Sequence, residues 1–354
     1  MNKAYKETMQ MLHFSQEQKE KMVDCLMCAQ EMPSGAHRKH RSAKKRTVAA
    51  VLAAAAVVLT MGAGAIHVGL ASDAFASVFG TMHTEIIDKI GKPVGASDSD
   101  AGITVTVDAI LGDKHNLNVV FTMEKENGSS WGLDSEHMLM VQDELELGYM
   151  GGSHGTAWVV DENPEDSIIQ YVRQITVDQE SGIPMGYTKA TLKELCVYNT
   201  KTEKVEQEIQ GEWKIRFDLR YEDSSISLIE QPFSVETAAG TVMVEEVKIS
   251  PVGFRVRGHY EDVTENIQHE LADYQAPESG KLPENTLFDR LSDVRIVLYQ
   301  KDGNGIELSQ TAGRSVNLKN KTFIIGDSFS DNIYNLTELE AIEIAGVILP
   351  IRVN

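Results

Sequence analysis

Apolar residues follow three different spacings along this chain, and each predicts a different kind of element. Val48 to Leu70 reads VAAVLAAAAVVLTMGAGAIHVGL, 23 residues without Asp, Glu, Lys or Arg. As a helix it would extend about 34 Å at ~1.5 Å per residue, enough for a hydrocarbon core about 30 Å thick. A helix satisfies its own backbone in lipid, so a membrane-spanning helix is expected over residues 47–71. Small residues Ala56, Thr60 and Gly64 recur at four-residue spacing within it, a weak pattern for self-association of the span.

Upstream the spacing is that of an amphipathic helix. Ser15-Gln16-Glu17-Gln18 forms a capping box in which Ser15 caps and Gln18 reaches back. The helix that follows places Met22, Val23, Leu26 and Met27 on one face, with Lys21, Asp24 and Glu31 opposite. Pro33-Ser34-Gly35 ends it. Some 35 residues cannot enclose a core of their own. A stripe that cannot be buried alone calls for a partner groove, and methionine makes it adaptable. Met22, Val23, Leu26 and Met27 are therefore the candidate partner-binding residues.

Downstream, a helix is expected from Asp73 through Ile90, stopped by Gly91 and Pro93. It would form the main part of a helical stalk over 72–97. The spacing then changes to period two. Ile103-Thr-Val-Thr-Val107 alternates, Asp113-Lys-His-Asn116 makes a polar turn, and Leu117-Asn-Val-Val-Phe121 completes a hairpin. Strands are expected at Met138–Val141, Thr156–Val160, Ile168–Val177, Glu194–Tyr198 and Trp213–Leu219. Trp213 is expected to anchor a core. Short strands with polar turns predict a mainly β fold. The second half echoes the first. Ala101-Gly102 is matched by Ala239-Gly240, Met138 by Val294, Leu192-Lys-Glu-Leu195 by Leu336-Thr-Glu-Leu339, and Ile209-Gln-Gly211 by Ile344-Ala-Gly346. These offsets drift between 135 and 156 residues, which requires loops of unequal length. The expectation is two tandem extracellular β-sandwich domains, immunoglobulin-like, at 98–222 and 236–354 with a linker at 223–235.

Charge supplies an orientation. Residues 1–46 hold 10 of the 33 Lys and Arg and 5 of the 53 Asp and Glu, and residues 47–71 hold none. That leaves 23 basic and 48 acidic residues beyond the span. Arg38, Lys39, Arg41, Lys44, Lys45 and Arg46 precede the span directly. Positive charge stays on the cytoplasmic side, so 1–46 is expected inside and the acidic remainder outside a cell membrane crossed once. A cleaved signal peptide, with Ala74-Phe75-Ala76 as its small-x-small site, has a much shorter leader than the 47 residues found here. The one-sided basic block argues against a buried soluble helix. An acidic exterior repels nucleic acid. Cys196 stands alone outside, so no internal disulfide can hold that part together.

Motifs that could carry catalysis fail on context. Gly151-Gly-Ser153-His154-Gly155 satisfies G-x-S-x-G, but a strand-like run follows where a nucleophile elbow needs a helix. Asp98-Ser-Asp100-Ala-Gly102 has its glycine one place early for a calcium loop, and Ala109 stands where the closing Glu belongs. Asp302-Gly-Asn-Gly305 reads as a hairpin turn, and His269-Glu270 lacks the second histidine of a zinc protease helix. Cys25-Leu-Met-Cys28 has thiolate spacing for zinc, yet no further ligand sits close in sequence. No enzyme, cofactor or metal is expected.

Tyr5-Lys6-Glu7, Ser15 to Lys21, the basic block, the single span, Gly102-Ile-Thr-Val-Thr-Val107, Gly211-Glu-Trp213 and Ile249-Ser-Pro251 together resemble a family of Gram-positive membrane proteins. These carry an extracellular domain of unknown function and are regarded as anti-sigma-factor-like, paired with extracytoplasmic-function sigma factors. Zinc-binding anti-sigma domains have a histidine four residues before C-x-x-C, where this chain has Lys21. The resemblance implies that the inner helices hold a sigma factor at the membrane while the outer domains sense or bind an envelope signal. The alternative is a surface-anchored binding or structural protein with no sigma partner.

Overall fold

The structure is a computed structural model that describes residues 71–80, 84–148, 152–275, 285–309, 312–329 and 332–353. The expected inner helix, with Met22, Val23, Leu26 and Met27, lies outside the described residues, as does the apolar stretch 48–70. No helix among the described residues is long and apolar enough to cross a membrane. Among the described residues strand outweighs helix, 55% to 12%, so the fold is mainly β, in several sheets, none of them closed into a barrel.

Two short helices come first, α1 at Ala71–Phe79 and α2 at Thr84–Ile90. The single helix expected over 73–90 is thus broken, at Gly80, whose φ of +74° is left-handed. Such a residue ends a helix and suits glycine. The stop at Gly91 is as read: its N–H bonds Ile87 O at 2.7 Å. A Cβ there would meet Ala71 Cβ at 2.7 Å, so the end of α2 presses on the start of α1. The stalk is also shorter than expected, because strand β1 already begins at Lys92.

The first β body contains β1 (Lys92–Asp100), β2 (Ile103–Gly112), β3 (Asn116–Lys125), β4 (His137–Leu145), β5 (Ser153–His154), β6 (Ala157–Val160), β7 (Ile168–Val177), β8 (Gly186–Asn199) and β9 (Lys204–Leu219). One sheet runs β1-β2-β3-β7-β5, with β6 also on β7; the other runs β4-β8-β9. Their facing side chains share one core, with Val105, Phe121 and Tyr171 from one sheet and Leu139, Leu192 and Trp213 from the other. Trp213 is wholly buried, and its indole donates to Ile103 O at 2.9 Å. Asp98 and Asp100, tested above as calcium ligands, instead accept the backbone N–H groups of Lys214 and Glu212, both at 2.8 Å. They cap the edge of β9 from β1, which ties the two sheets along one side.

The second body contains β10 (Ile226–Ser227), β11 (Phe233–Thr237), β12 (Gly240–Ile249), β13 (Gly253–Val263), β14 (Ile296–Gln300), β15 (Gly305–Glu307), β16 (Gly313–Asn317), β17 (Thr322–Ser328), β18 (Leu339–Ile344) and β19 (Val347–Pro350). Helices α3 (Glu265–Gln275) and α4 (Asn285–Leu291), not read from the sequence, lie between β13 and β14. Its sheets run β10-β12-β13-β17-β16, with β11 also on β12, and β15-β14-β18-β19.

Both bodies follow the same strand order. β2-β3-β7 corresponds to β12-β13-β17, and β4-β8-β9 to β14-β18-β19. Some of the local sequence matches fall elsewhere. Leu192–Leu195 lies inside β8, whereas Leu336–Glu338 is a 3-10 turn leading into β18. Ile209–Gly211 lies within β9, whereas Ala345-Gly346 is the two-residue turn between β18 and β19, with φ of +46° and +91°. The turn like it in the first body is Ala101-Gly102, with φ of +50° and +74°. Both are the primed type that matches strand twist.

Candidate functional site

The two bodies meet through corresponding hairpin turns. In the β2–β3 turn, Asp113 begins Asp-Lys-His-Asn, and its Oδ1 accepts the N–H of His115 at 2.7 Å and of Asn116 at 2.9 Å. This is the local bond that favours Asp at a turn start. In the β12–β13 turn, Ser250 begins Ser-Pro-Val-Gly, and its Oγ accepts the N–H groups of Val252 and Gly253, both at 3.1 Å. Each turn is closed by its own first residue. The two are then joined, because Ser250 Oγ donates to Asp113 Oδ2. Both residues are buried.

Asp113 is the titratable group of this contact. Burial pushes its carboxyl up, while donors from Ser250, Asn116 and His115 pull it back. Beside it, His115 is held down to about 4 by burial and by the Arg255 guanidinium. It is therefore neutral in the fold at neutral pH. Arg255, on β13, is buried and reaches across the junction. It donates to Val177 O at 3.3 Å and Asp178 O at 2.8 Å, and pairs with Glu246 at 3.0 Å. A buried guanidinium needs such partners, because an unpaired charge there would be costly.

A second row of polar contacts runs along the edge. Thr176 donates to Asn116 Oδ1 at 2.9 Å and accepts the N–H of Ser328 at 3.2 Å. His154 Nε2 lies 3.0 Å from Gly326 O and 3.8 Å from Asp327 Oδ1. Burial pushes the Asp327 carboxyl up and His154 pulls it down. The fit leaves little space: a Cβ on Gly253 would stand 2.5 Å from Asp327 O and 2.6 Å from Asn116 Nδ2, and one on Gly313 would overlap the His154 ring.

Helices α1 and α2 cover the same junction from the side. Ala71, Phe75 and Phe79 recur at four-residue spacing and bury one face. With Ile87 and Ile90 they pack on Ala109, Leu111, Val120 and Val172 of the first body and on Val252 and Ile333 of the second. Gln170 donates to Ala74 O at 3.3 Å, and Ser77 Oγ bonds its other end. On β2, Asp108 accepts Thr122 Oγ1 at 2.6 Å, and burial pushes its carboxyl up to about 6.

The G-x-S-x-G serine does not form a nucleophile pair with its neighbour. Ser153 and His154 are consecutive strand residues, whose side chains point to opposite faces, and His154 is committed to the second body. Asp302 and Asn304 bond each other within a turn, as read. No group of His, Cys, Asp and Glu among the described residues has the geometry of a metal site. Sequence reasoning singled out the Asp113 to Asn116 turn and the Ile249-Ser-Pro251 stretch separately. It missed that they touch, and it missed Arg255, His154 and the helix pair as parts of one junction. The paired signal available was a cap-forming Asp or Ser at the start of each hairpin turn.

Residues 41–125 match a family model described as a domain of unknown function, DUF4179. That window opens in the basic flank, passes through the apolar stretch and both helices, and ends at the last residue of β3. No curated protein matches the chain. Among solved structures, a crystal structure described as the conserved domain protein from Bacillus anthracis is similar over 71% of this chain and 75% of its own, at 15% identity and a TM-score of 0.47.

Proposed function

We propose that this chain is a membrane-anchored regulator of the anti-sigma-factor type. In this reading residues 1–46 bind an extracytoplasmic-function sigma factor inside, and the acidic β bodies form tandem, duplicated immunoglobulin-like sandwiches outside that sense or bind an envelope signal. The observation that carries it is the seat of α1 and α2. The helices that directly follow the apolar stretch are buried against both β bodies at once, so a change at the junction bears on the chain entering the span. The family window supports the same unit, since it runs unbroken from the basic flank to β3. The shared strand order of the bodies supports duplication.

Inside, the binding energy would come from Met22, Val23, Leu26 and Met27, each contributing roughly 1.5–3 kcal/mol when fully buried in a groove. The test is recovery of a sigma factor on immobilised residues 1–46, and its loss from the Leu26→Asp/Met27→Asp form. Equal recovery on both forms, or none on either, would remove the sigma partner. The second reading, a surface-anchored binding protein with an inert inner tail, is favoured by one observation, the apolar outer face of β4-β8-β9.

A further inference from the structure

The sheet β4-β8-β9 carries apolar side chains on the face turned away from its core. Leu139 and Val197 point inward, so their neighbours along each strand point out. The register sets Met138 beside Tyr198 and Tyr198 beside Val205; the next row is Met140, Cys196 and Glu208. Met138 is 50% exposed, Met140 49% and Val205 51%, among the most exposed large apolar residues of the described chain. Scattered exposed residues need no explanation, but a contiguous patch on one face marks an interaction surface.

Two further features say what would cover it. β4 pairs with β8 alone, so among the described residues no strand occupies its other edge. A free edge beside methionines is a template for an added strand. The charges nearest that edge are acidic. Lys189 pairs with Glu146, and Lys193 and Lys214 both pair with Glu212, which leaves Glu144 on β4 and Glu194 on β8 without an ion pair among the described residues. The Cys196 thiol registers that field: burial pushes it up, and Glu208 and Glu194 push it further.

We propose that the outer face of β4-β8-β9 docks an extended, basic peptide segment bearing alternate apolar side chains, added along the free edge of β4. Its backbone would pair with β4, its apolar side chains would cover Met138 and Met140, and its cations would meet Glu144 and Glu194, on the two strands nearest that edge. A second copy of this chain is disfavoured as occupant, because it would set a second group of glutamates against the first. The surface belongs to the folded first body and stands whether or not the inner segment binds a sigma factor.

Cys196 lies in the patch and reports its occupancy. The experiment uses the full chain with Cys25→Ser and Cys28→Ser, in zwitterionic lipid nanodiscs. It measures the rate of Cys196 alkylation by iodoacetamide against a synthetic peptide of alternating lysine and valine. Saturable slowing by several-fold is expected, weaker at high salt and weaker again in Met138→Ser/Met140→Ser and in Glu144→Lys. The second variant changes one exposed side chain and keeps the test open if the methionine pair disturbs folding. No slowing, equal slowing by an alternating glutamate and valine peptide, or undiminished slowing in Glu144→Lys would overturn the proposal. So would protection produced by raising the protein concentration alone, which would make a second copy the occupant.

Discussion

Asp108 sits at a bulge between Val107 and Ala109, where the β2–β3 register shifts. Its carboxyl is pushed up to about 6 from an ordinary 3.8. The unfolded chain therefore loses that proton first as pH rises, and the fold loses stability between about pH 4 and 6. Asp108→Asn keeps a partner for Thr122 and removes the penalty. It is expected to raise stability by roughly 1–3 kcal/mol at pH 7 and by little at pH 4, read by urea unfolding. His115 acts in the opposite sense. Its folded value of about 4 lies below the ordinary 6.5, so its contribution is full above about pH 6.5 and declines as pH falls toward 4. The Asp108→Asn form should consequently be more acid-sensitive than the parent, because the His115 slope is no longer offset. A flatter pH profile in the variant would contradict both assignments. Trp213→Ala removes a wholly buried indole and leaves Ile103 O without that donor, so about 3–5 kcal/mol should be lost in the same measurement. The Gly-Glu-Trp-Lys-Ile-Arg-Phe alternation announced that burial, because period two places Trp213, Ile215 and Phe217 on one face.

Among the elements, hairpins were the most legible. A strand is written locally, in alternation and in the turn residues that bound it, and the β2–β3 hairpin and β7 stand where that pattern put them. Helices were less so. The break at Gly80 turns on a left-handed φ that a glycine permits but does not require, and α3 and α4 lie in polar sequence with little periodic signal. Contacts between elements were not legible at all. Asp113 and Ser250 each announce a turn, yet nothing local says that the turns meet. Gly253→Ala probes that meeting point. It should cost about 1–3 kcal/mol by overpacking and raise amide exchange in both the β2–β3 and β12–β13 turns. A neutral substitution would mean that the turns are not pressed together. Phe75→Ser/Phe79→Ser should release α1 and speed proteolytic cleavage near Gly80, while the β cores keep their far-ultraviolet circular dichroism.

Across the whole molecule, the likeness of the two bodies is clearer in strand order than in sequence. Apolar residues at period two recur in any half-buried sheet, so matches such as Leu192–Leu195 with Leu336–Leu339 arise between positions that are not equivalent. The order β2-β3-β7 against β12-β13-β17 has no such degeneracy, because it records pairing between strands far apart in the chain. A basic flank, an uncharged stretch, a helix pair packed on both β bodies and an acidic surface follow one another along the chain, which the proposed topology runs from inside to outside. A cysteine placed at Ser129, in a chain lacking the native cysteines, should react with an impermeant maleimide in intact cells, and one at Ser34 should not. The central claim is that the inner stripe restrains a sigma factor. The most direct measurement is transcription from that factor's promoters in cells carrying full-length Leu26→Asp/Met27→Asp, with its membrane level checked. The account predicts that transcription rises to the level of a complete deletion. Unchanged transcription with the variant still in the membrane would contradict it and leave the surface-binding reading in its place.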